Sequence, residues 1–397
     1  MSQAVKIGLA LAGGGPEGAL YEIGALRALE ESLEGLDFND LDIYVGVSAG
    51  AFVGACLANG ITLRHLCRVV ASEGTDEGPF APENFFAPAF GELRRRLTMV
   101  PGLFAGGLWD FLRKPDNFSF LEPVLRLGRA LPVGVFDSRR IADYLEKVFD
   151  REGRSNDFRS LKRSLIIVAA DLDSGRAVRF GEPGWDHIPI STAVQASSAL
   201  PGFFEPVTID GRHYVDGVLI KTVHASTALK AGADLLLAVN PIVPVDTAKA
   251  VEEGVMVRGK LVDRGLPAVL SQTLRTLIRS RLEAGIQKYA TKYADSEIQL
   301  FEPRRDDFRM FFTNIFSFSD RRAVCEHAYQ RTREHLLSRQ DEIAAALEPF
   351  GVGLRRDLLR EERSLWDGIE VSDDLSGRLH STLDRLQSAL DSLQSRS

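Results

Sequence analysis

A chain of 397 residues, 45% hydrophobic and 26% charged, is long enough to bury a large core, in one sizeable domain with appendages or in two. A net charge of −7 and a pI near 5.6 exclude a basic footprint for nucleic acid, leaving only local clusters such as Arg94-Arg95-Arg96 as contacts for anionic headgroups. Cys56, Cys67 and Cys325 have neither metal-ligand spacing nor an even number for pairing, so they are expected as core residues in a reducing compartment.

The first residues run straight into a strand, without the charged start, apolar stretch and cleavage site of a signal peptide. No apolar run approaches the ~20 residues of a membrane-spanning helix, and the expectation is a soluble, cytoplasmic protein, peripheral to a membrane at most. Lys6 to Ala12 is a short apolar run ending at Gly13-Gly14-Gly15-Pro16-Glu17-Gly18, after which Leu20, Ile23, Leu26 and Leu29 follow helical spacing. A glycine loop between strand and helix suits two chemistries. Gly13, Gly15 and Gly18 satisfy the G-x-G-x-x-G dinucleotide fingerprint, which also expects an acid at the end of the second strand to hold a ribose hydroxyl. Alternatively, the loop N–H groups at a helix N-terminus form an oxyanion hole.

The second strand ends not in an acid but in Gly46-Val47-Ser48-Ala49-Gly50, and small residues Gly50, Gly54 and Ala58 then recur at one-turn spacing. Strand, sharp turn and helix are the geometry of a nucleophile elbow, in which the serine Oγ is presented to open space and both glycines admit neighbouring backbone. Ser48 is therefore the candidate nucleophile and Gly46 and Gly50 the elbow glycines. An ordinary βα turn has the same composition, so the rest of the chain must decide.

Residues 61 to 135 are less regular and aromatic, with Phe80, Phe85, Phe86, Phe90, Leu103, Phe104, Leu108, Trp109, Phe111 and Leu112 among prolines and glycines. The segment is either an irregular subdomain with its own small core or a lipid-facing lid hinged on Gly102, Gly106 and Gly107. A helix is expected from Asp137 to Phe149 with an Asp/Ser cap, a buried strand from Ser164 to Ala170, and a small-residue helix from Ile190 to Leu200 that Pro201 ends. Phe203 to Ile209 and Arg212 to Val215 flank Asp210-Gly211, a hairpin that delivers Val215-Asp216-Gly217. Leu235 to Val239 is another apolar strand, helical patterns cover about 266 to 293 and 320 to 347, and Glu297 to Phe301 is a short strand between them.

The main domain is read as residues 1–345 and a polar helical tail as 346–397. Leu379, Leu383, Leu386, Leu390 and Leu393 form a two-heptad seam in that tail, which must pack on its own domain or on a second copy of the chain, giving a homo-oligomer.

A Ser-His-Asp enzyme needs a histidine after the acid. His224, His327, His335 and His380 follow Asp216, yet each sits in a helical pattern and is expected on the surface or at a cap. Taken together, Gly13-Gly14-Gly15, Gly46-Val47-Ser48-Ala49-Gly50, Ala196-Ser197-Ser198-Ala199-Leu200-Pro201-Gly202-Phe203-Phe204 and Tyr214-Val215-Asp216-Gly217 resemble, in order and separation, the patatin-like phospholipase family over about residues 5 to 345. The resemblance implies a three-layer α/β/α sandwich with a helical C-terminal extension. It implies a serine hydrolase of lipid acyl esters in which Ser48 attacks, Asp216 activates it as a dyad without histidine, Gly13, Gly14 and Gly15 form the oxyanion hole, and water releases the acyl group. No cofactor and no metal are implied, and the partner is the lipid substrate or its surface. Two positions depart from the family pattern: Glu17, where a basic residue is usual, and Val218, where Gly or Ala follows Asp-Gly. The other readings are a patatin-fold module that binds lipid or a partner without turnover, and a dinucleotide-binding oxidoreductase.

Overall fold

A computed structural model of the chain describes residues 5–71, 131–252, 261–307 and 318–367, with 85–86, 88–91, 94–96, 98, 254 and 369. The aromatic positions from Leu103 to Leu112, and with them the proposed lid hinges, lie outside the described residues, as do the leucine seam and His380.

In chain order the strands are β1 (Ile7–Leu11), β2 (Leu33–Glu34), β3 (Ile43–Gly46), β4 (Gly134–Phe136), β5 (Ser164–Asp171), β6 (Ala177–Phe180), β7 (Gly202–Phe204), β8 (Val207–Ile209), β9 (Arg212–Asp216), β10 (Leu235–Val239), β11 (Glu297–Phe301) and β12 (Gly353–Leu354). The helices are α1 (Gly15–Ser32), α2 (Ala49–Ala58), α3 (Leu63–Ala71), α4 (Arg139–Phe149), α5 (Ile190–Ser197), α6 (Ala225–Lys230), α7 (Thr247–Glu252), α8 (Leu266–Lys292), α9 (Phe318–Ser338), α10 (Gln340–Leu347) and α11 (Arg356–Arg360).

The central strands are nearly continuous apolar runs, as a parallel sheet covered on both faces requires. Five of them pair in parallel in the order β11-β10-β1-β3-β5. Successive residues on a strand point to opposite faces, and the core divides accordingly. Leu9, Leu11, Tyr44, Ile167 and Leu237 pack on one face with α1, α2 and α5. Ala10, Val45, Ile166, Val168 and Leu236 pack on the other with α6 and α8. The result is a three-layer α/β/α sandwich.

Strands β6 and β9 both pair antiparallel with β5, and β8 pairs antiparallel with β9. Ile167 pairs with both Gly46 of β3 and Phe180 of β6, while Ala169 pairs with both Val178 of β6 and Asp216 of β9. A residue has one partner on each edge of its strand, so β6 occupies one edge of β5 and β3 and β9 share the other. On that shared edge β3 runs up to Ile167 and β9 runs down to Ala169. Their C-terminal ends meet at Val168, which brings the residues just past Gly46 against Asp216.

Most elements fall where the sequence places them, and the departures have local causes. The strand expected from Phe203 to Ile209 is split at Glu205-Pro206, because Pro206 has no N–H to give a ladder; β7 pairs with β4 instead. The hairpin itself stands, with Ile209 opposite Arg212 and Asp210 and Gly211 both at positive φ, 50° and 75°, the signature of a type I′ turn. The helix expected over 320 to 347 breaks at Arg339 into α9 and α10. Helix α3 lies in a region read as irregular; Leu63, Leu66, Cys67 and Val70 are its buried face. Core packing continues past residue 345: β12 pairs with β2, and Leu365 and Ile369 are buried. All three cysteines are buried and none forms a disulfide among the described residues. Among the described residues no helix is long and apolar enough to cross a membrane.

Candidate active site

Strand β3 stops at Gly46 because the chain must double back onto itself. A Cβ at Gly46 would lie 2.5 Å from the Gly50 carbonyl oxygen, and one at Gly50 would lie 2.5 Å from that of Leu11. Only glycine fits either place. Between them Ser48 adopts φ 54°, ψ −120°, a left-handed conformation that costs a non-glycine residue on the order of 1–3 kcal/mol and persists only where surrounding bonds impose it. Those bonds are present. The Val47 N–H donates to the Leu11 carbonyl at 3.2 Å and the Gly50 N–H to that of Ala12 at 3.0 Å, pinning the turn to the end of β1. The Ser48 N–H donates to Ser197 Oγ at 2.8 Å, and Ser197 Oγ in turn donates to the Val168 carbonyl at 2.6 Å.

Asp216 closes β9 from the opposite direction. Its backbone N–H donates to the Ala199 carbonyl at 3.0 Å, and its carboxylate accepts from the Val218 N–H at 2.9 Å and lies beside the Ser48 hydroxyl, which favours its charged form. The group is buried. Loss of hydration outweighs both contacts and lifts its pKa from the usual aspartate range to about 7. Gly217 must be glycine, since a Cβ there would lie 2.3 Å from the Val168 carbonyl oxygen.

The glycine loop completes the constellation. Gly13 abuts the elbow and the turn after Asp216: a Cβ on it would be 3.2 Å from Ser48 Cβ and from Val218 Cγ2. Gly14 is the N-cap of α1 and Gly15, at φ 63°, its first residue, so their N–H groups have no acceptor within the helix and sit at the positive end of its dipole. Ser48 likewise heads α2. All seven residues singled out in the sequence, Gly13, Gly14, Gly15, Gly46, Ser48, Gly50 and Asp216, thus converge on one point.

The histidines do not. His224 does cap a helix, as the N-cap of α6, but it is buried, where loss of hydration drives its pKa down to about 3 and keeps the ring neutral. It lies against the backbone of Gly217, next to Asp216. His327 pairs with Asp307, and His335 packs edge-on against Phe301. Among the described residues no group of three or more His, Cys, Asp or Glu could hold a metal ion.

A cavity of about 510 Å³ opens over Ser48 and Asp216, its apolar walls coming from Phe86, Phe204, Leu274 and Ile278. A smaller apolar recess of about 80 Å³ also reaches Ser48, between Phe52, Phe85 and Ile141. Phe85 packs on Phe52 and Tyr144, and Phe86 on Phe136 and Phe204, with ring centroids 5.1–6.5 Å apart, so this end of the aromatic segment is wall. Glu17 and Arg275 line the cavity along with Asp216. Burial lifts the Glu17 carboxyl to about 7 despite Arg275 beside it, and Arg275 Nη1 donates to the Val243 carbonyl at 3.2 Å.

Sequence reasoning gave no role to Ser197, Ala199 or Arg275. The first two lie inside a motif already quoted, where a polar residue amid small apolar ones was the available signal; Arg275 arrives from a distant helix and has none. A hydroxyl beside a carboxylate of pKa about 7, with unpaired helix N–H groups close by in an apolar cavity, is equipped to attack a carbonyl carbon and hold the resulting oxyanion.

Comparisons with known proteins bear on the same segment. The crystal structure of VipD from Legionella pneumophila aligns with a TM-score of 0.34 at 13% identity, covering 84% of this chain and 67% of that one, a likeness too slight to carry an argument. A 5-methyltetrahydropteroyltriglutamate–homocysteine methyltransferase of Candida albicans is 28% identical over 106 residues, a stretch that spans 24% of this chain and 14% of that enzyme. The family model described as patatin-like phospholipase matches residues 9–229, from the glycine loop through Asp216. With that match taking in more than half of its length, the chain belongs to the patatin-like phospholipase family.

Proposed function

We propose that the chain is a serine hydrolase of lipid acyl esters working through a Ser48–Asp216 dyad and an acyl-enzyme. The observation that carries this reading is the placement of the Ser48 hydroxyl beside a buried carboxylate whose pKa lies at about 7. A general base is most effective with a pKa near the working pH, and burial has moved an aspartate there. Family membership supports lipid acyl hydrolysis as the reaction class, and the apolar cavity supports an acyl chain as the group bound.

In the proposed cycle ionised Asp216 takes the Oγ proton as Ser48 Oγ bonds to the ester carbonyl carbon. The carbonyl oxygen becomes an oxyanion beside the Gly13-Gly14-Gly15 N–H groups and the N-terminus of α1. The intermediate collapses, the C–O bond to the alcohol breaks, and Asp216 returns the proton to that leaving oxygen. Water then attacks the acyl-enzyme, giving its proton to Asp216, which passes it to Ser48 Oγ as the carboxylic acid departs.

Reaction with a fluorophosphonate followed by peptide mapping tests the assignment. Wild type is expected to carry the adduct on Ser48, and both Ser48→Ala and Asp216→Asn to lose hydrolysis of a p-nitrophenyl acyl ester by about 10³-fold or more, non-additively because the two act as a unit. Wild-type rates in Asp216→Asn would overturn the dyad.

A further inference from the structure

Helix α8 carries two stripes. Ser271, Leu274, Arg275 and Ile278 share one face and line the cavity over Ser48. About a third of a turn around the helix, Leu266, Leu270 and Leu277 stand 68%, 57% and 58% exposed. Continuing at intervals of four, seven and four residues, the same stripe becomes basic, with exposed Arg281, Lys288 and Lys292. Arg281 also donates to the Leu219 carbonyl, and Lys292 lies over the Tyr293 ring. The helix holds five cations and one acid, Glu283, in a chain whose net charge is −7. The β4–β7 ribbon likewise joins cavity to surface: Phe136, Phe203 and Phe204 line the cavity, and Val135 and Phe203 are exposed.

We propose that the outer stripe of α8, together with the exposed face of the β4–β7 ribbon, docks the protein on an anionic lipid surface and sets the cavity mouth against it. The inference rests on reading the cavity as a lipid acyl hydrolase site, and adds which elements touch the lipid. Continuity carries it, since both elements that expose apolar side chains also wall the Ser48 cavity. Charge carries it further: an apolar stretch running into a basic one along a single stripe matches acyl chains and anionic headgroups, the composition of a helix lying in a membrane interface.

The test is flotation of full-length Ser48→Ala protein with vesicles of phosphatidylcholine alone and of phosphatidylcholine mixed equally with phosphatidylglycerol. Binding is expected to be stronger on the mixed vesicles and weakened by salt. Leu270→Ser/Leu277→Ser should lower it about tenfold or more. In a Ser48 background the same double variant should hydrolyse a soluble short-chain ester at the wild-type rate, since neither leucine lines the cavity. Undiminished vesicle binding by the double variant overturns the proposal, as does a wild-type chain that floats with neither vesicle. A double variant that changes only the mass in light scattering would make the stripe a protein interface and overturn it equally. Loss of flotation in the double variant without fluorophosphonate labelling of Ser48 in the Ser48 background would instead retain the docking face and reject the hydrolase reading.

Discussion

Ser197 holds Ser48 from behind: its Oγ accepts the Ser48 backbone N–H at 2.8 Å and passes its own proton to the Val168 carbonyl at 2.6 Å. One hydroxyl therefore fastens the strained elbow to β5, the strand against which β9 and its Asp216 pair. Ala199, two residues on, accepts the Asp216 N–H, so a single short stretch of α5 and its exit loop braces both members of the pair.

Ser197→Ala should accordingly lower kcat while leaving Ser48 and Asp216 in place. It strands a buried N–H and a buried carbonyl, at a cost of about 1–3 kcal/mol for each unsatisfied group, and frees a backbone held at positive φ. A fall of about 10–100-fold in kcat with little change in KM is expected, read from steady-state kinetics. An unaltered kcat would show that the elbow holds its shape without this bond.

Activity and stability should respond to pH in opposite directions. Asp216 accepts a proton only when ionised, so turnover should fall as pH drops through about 7. The folded chain retains the Asp216 proton up to about pH 7, whereas the unfolded chain releases it near 3.8. The folded state therefore binds more protons between those values, and this group's contribution to stability, full below about pH 4, is lost as pH rises through 7. Asp216→Asn, which cannot ionise, should melt at a higher temperature than wild type at pH 8 and lose that advantage in acid. Thermal unfolding at the two pH values checks this, and equal melting points at pH 8 would contradict it.

Glu17 stands where the family resemblance leads one to expect a cation, but Arg275 from α8 shares its cavity and acts on it electrostatically. Glu17→Gln removes the negative charge and leaves Arg275, so kcat/KM for an acyl ester bearing an anionic group should rise about tenfold relative to a neutral one at pH 8, equivalent to ~1.4 kcal/mol. The ratio should change less at pH 5.5, where Glu17 is already protonated. Competition between the two esters reads the ratio directly, and an unchanged ratio would place the substrate's charged end elsewhere.

The sheet was legible because buried parallel strands are written as short apolar runs between turn residues, and the elbow because sterically enforced glycines leave a fixed spacing around Ser48. Asp210-Gly211 was legible for the same reason, since few residue pairs tolerate two positive φ values. What escaped depends on distant partners. The burial of His224 is decided by α6 packing onto the sheet and by the backbone of Gly217, neither of which leaves a trace beside position 224. The break at Arg339 lies within a helical pattern that is continuous in sequence, and β2–β12 pairing joins segments more than 300 residues apart.

The end-to-end placement of β3 and β9 along one edge of β5 has a bearing on how this fold can vary. The spacing of Ser48 and Asp216 is gauged by a single residue, Val168, and not by the long stretch of chain that separates them. Loops can lengthen, shorten or change partners anywhere in that stretch, provided β5 keeps its register, and the reacting pair stays in step. Tuning of activity by ligands or binding partners must then act through what reaches the pair, because moving one residue relative to the other would mean unzipping the middle of the sheet.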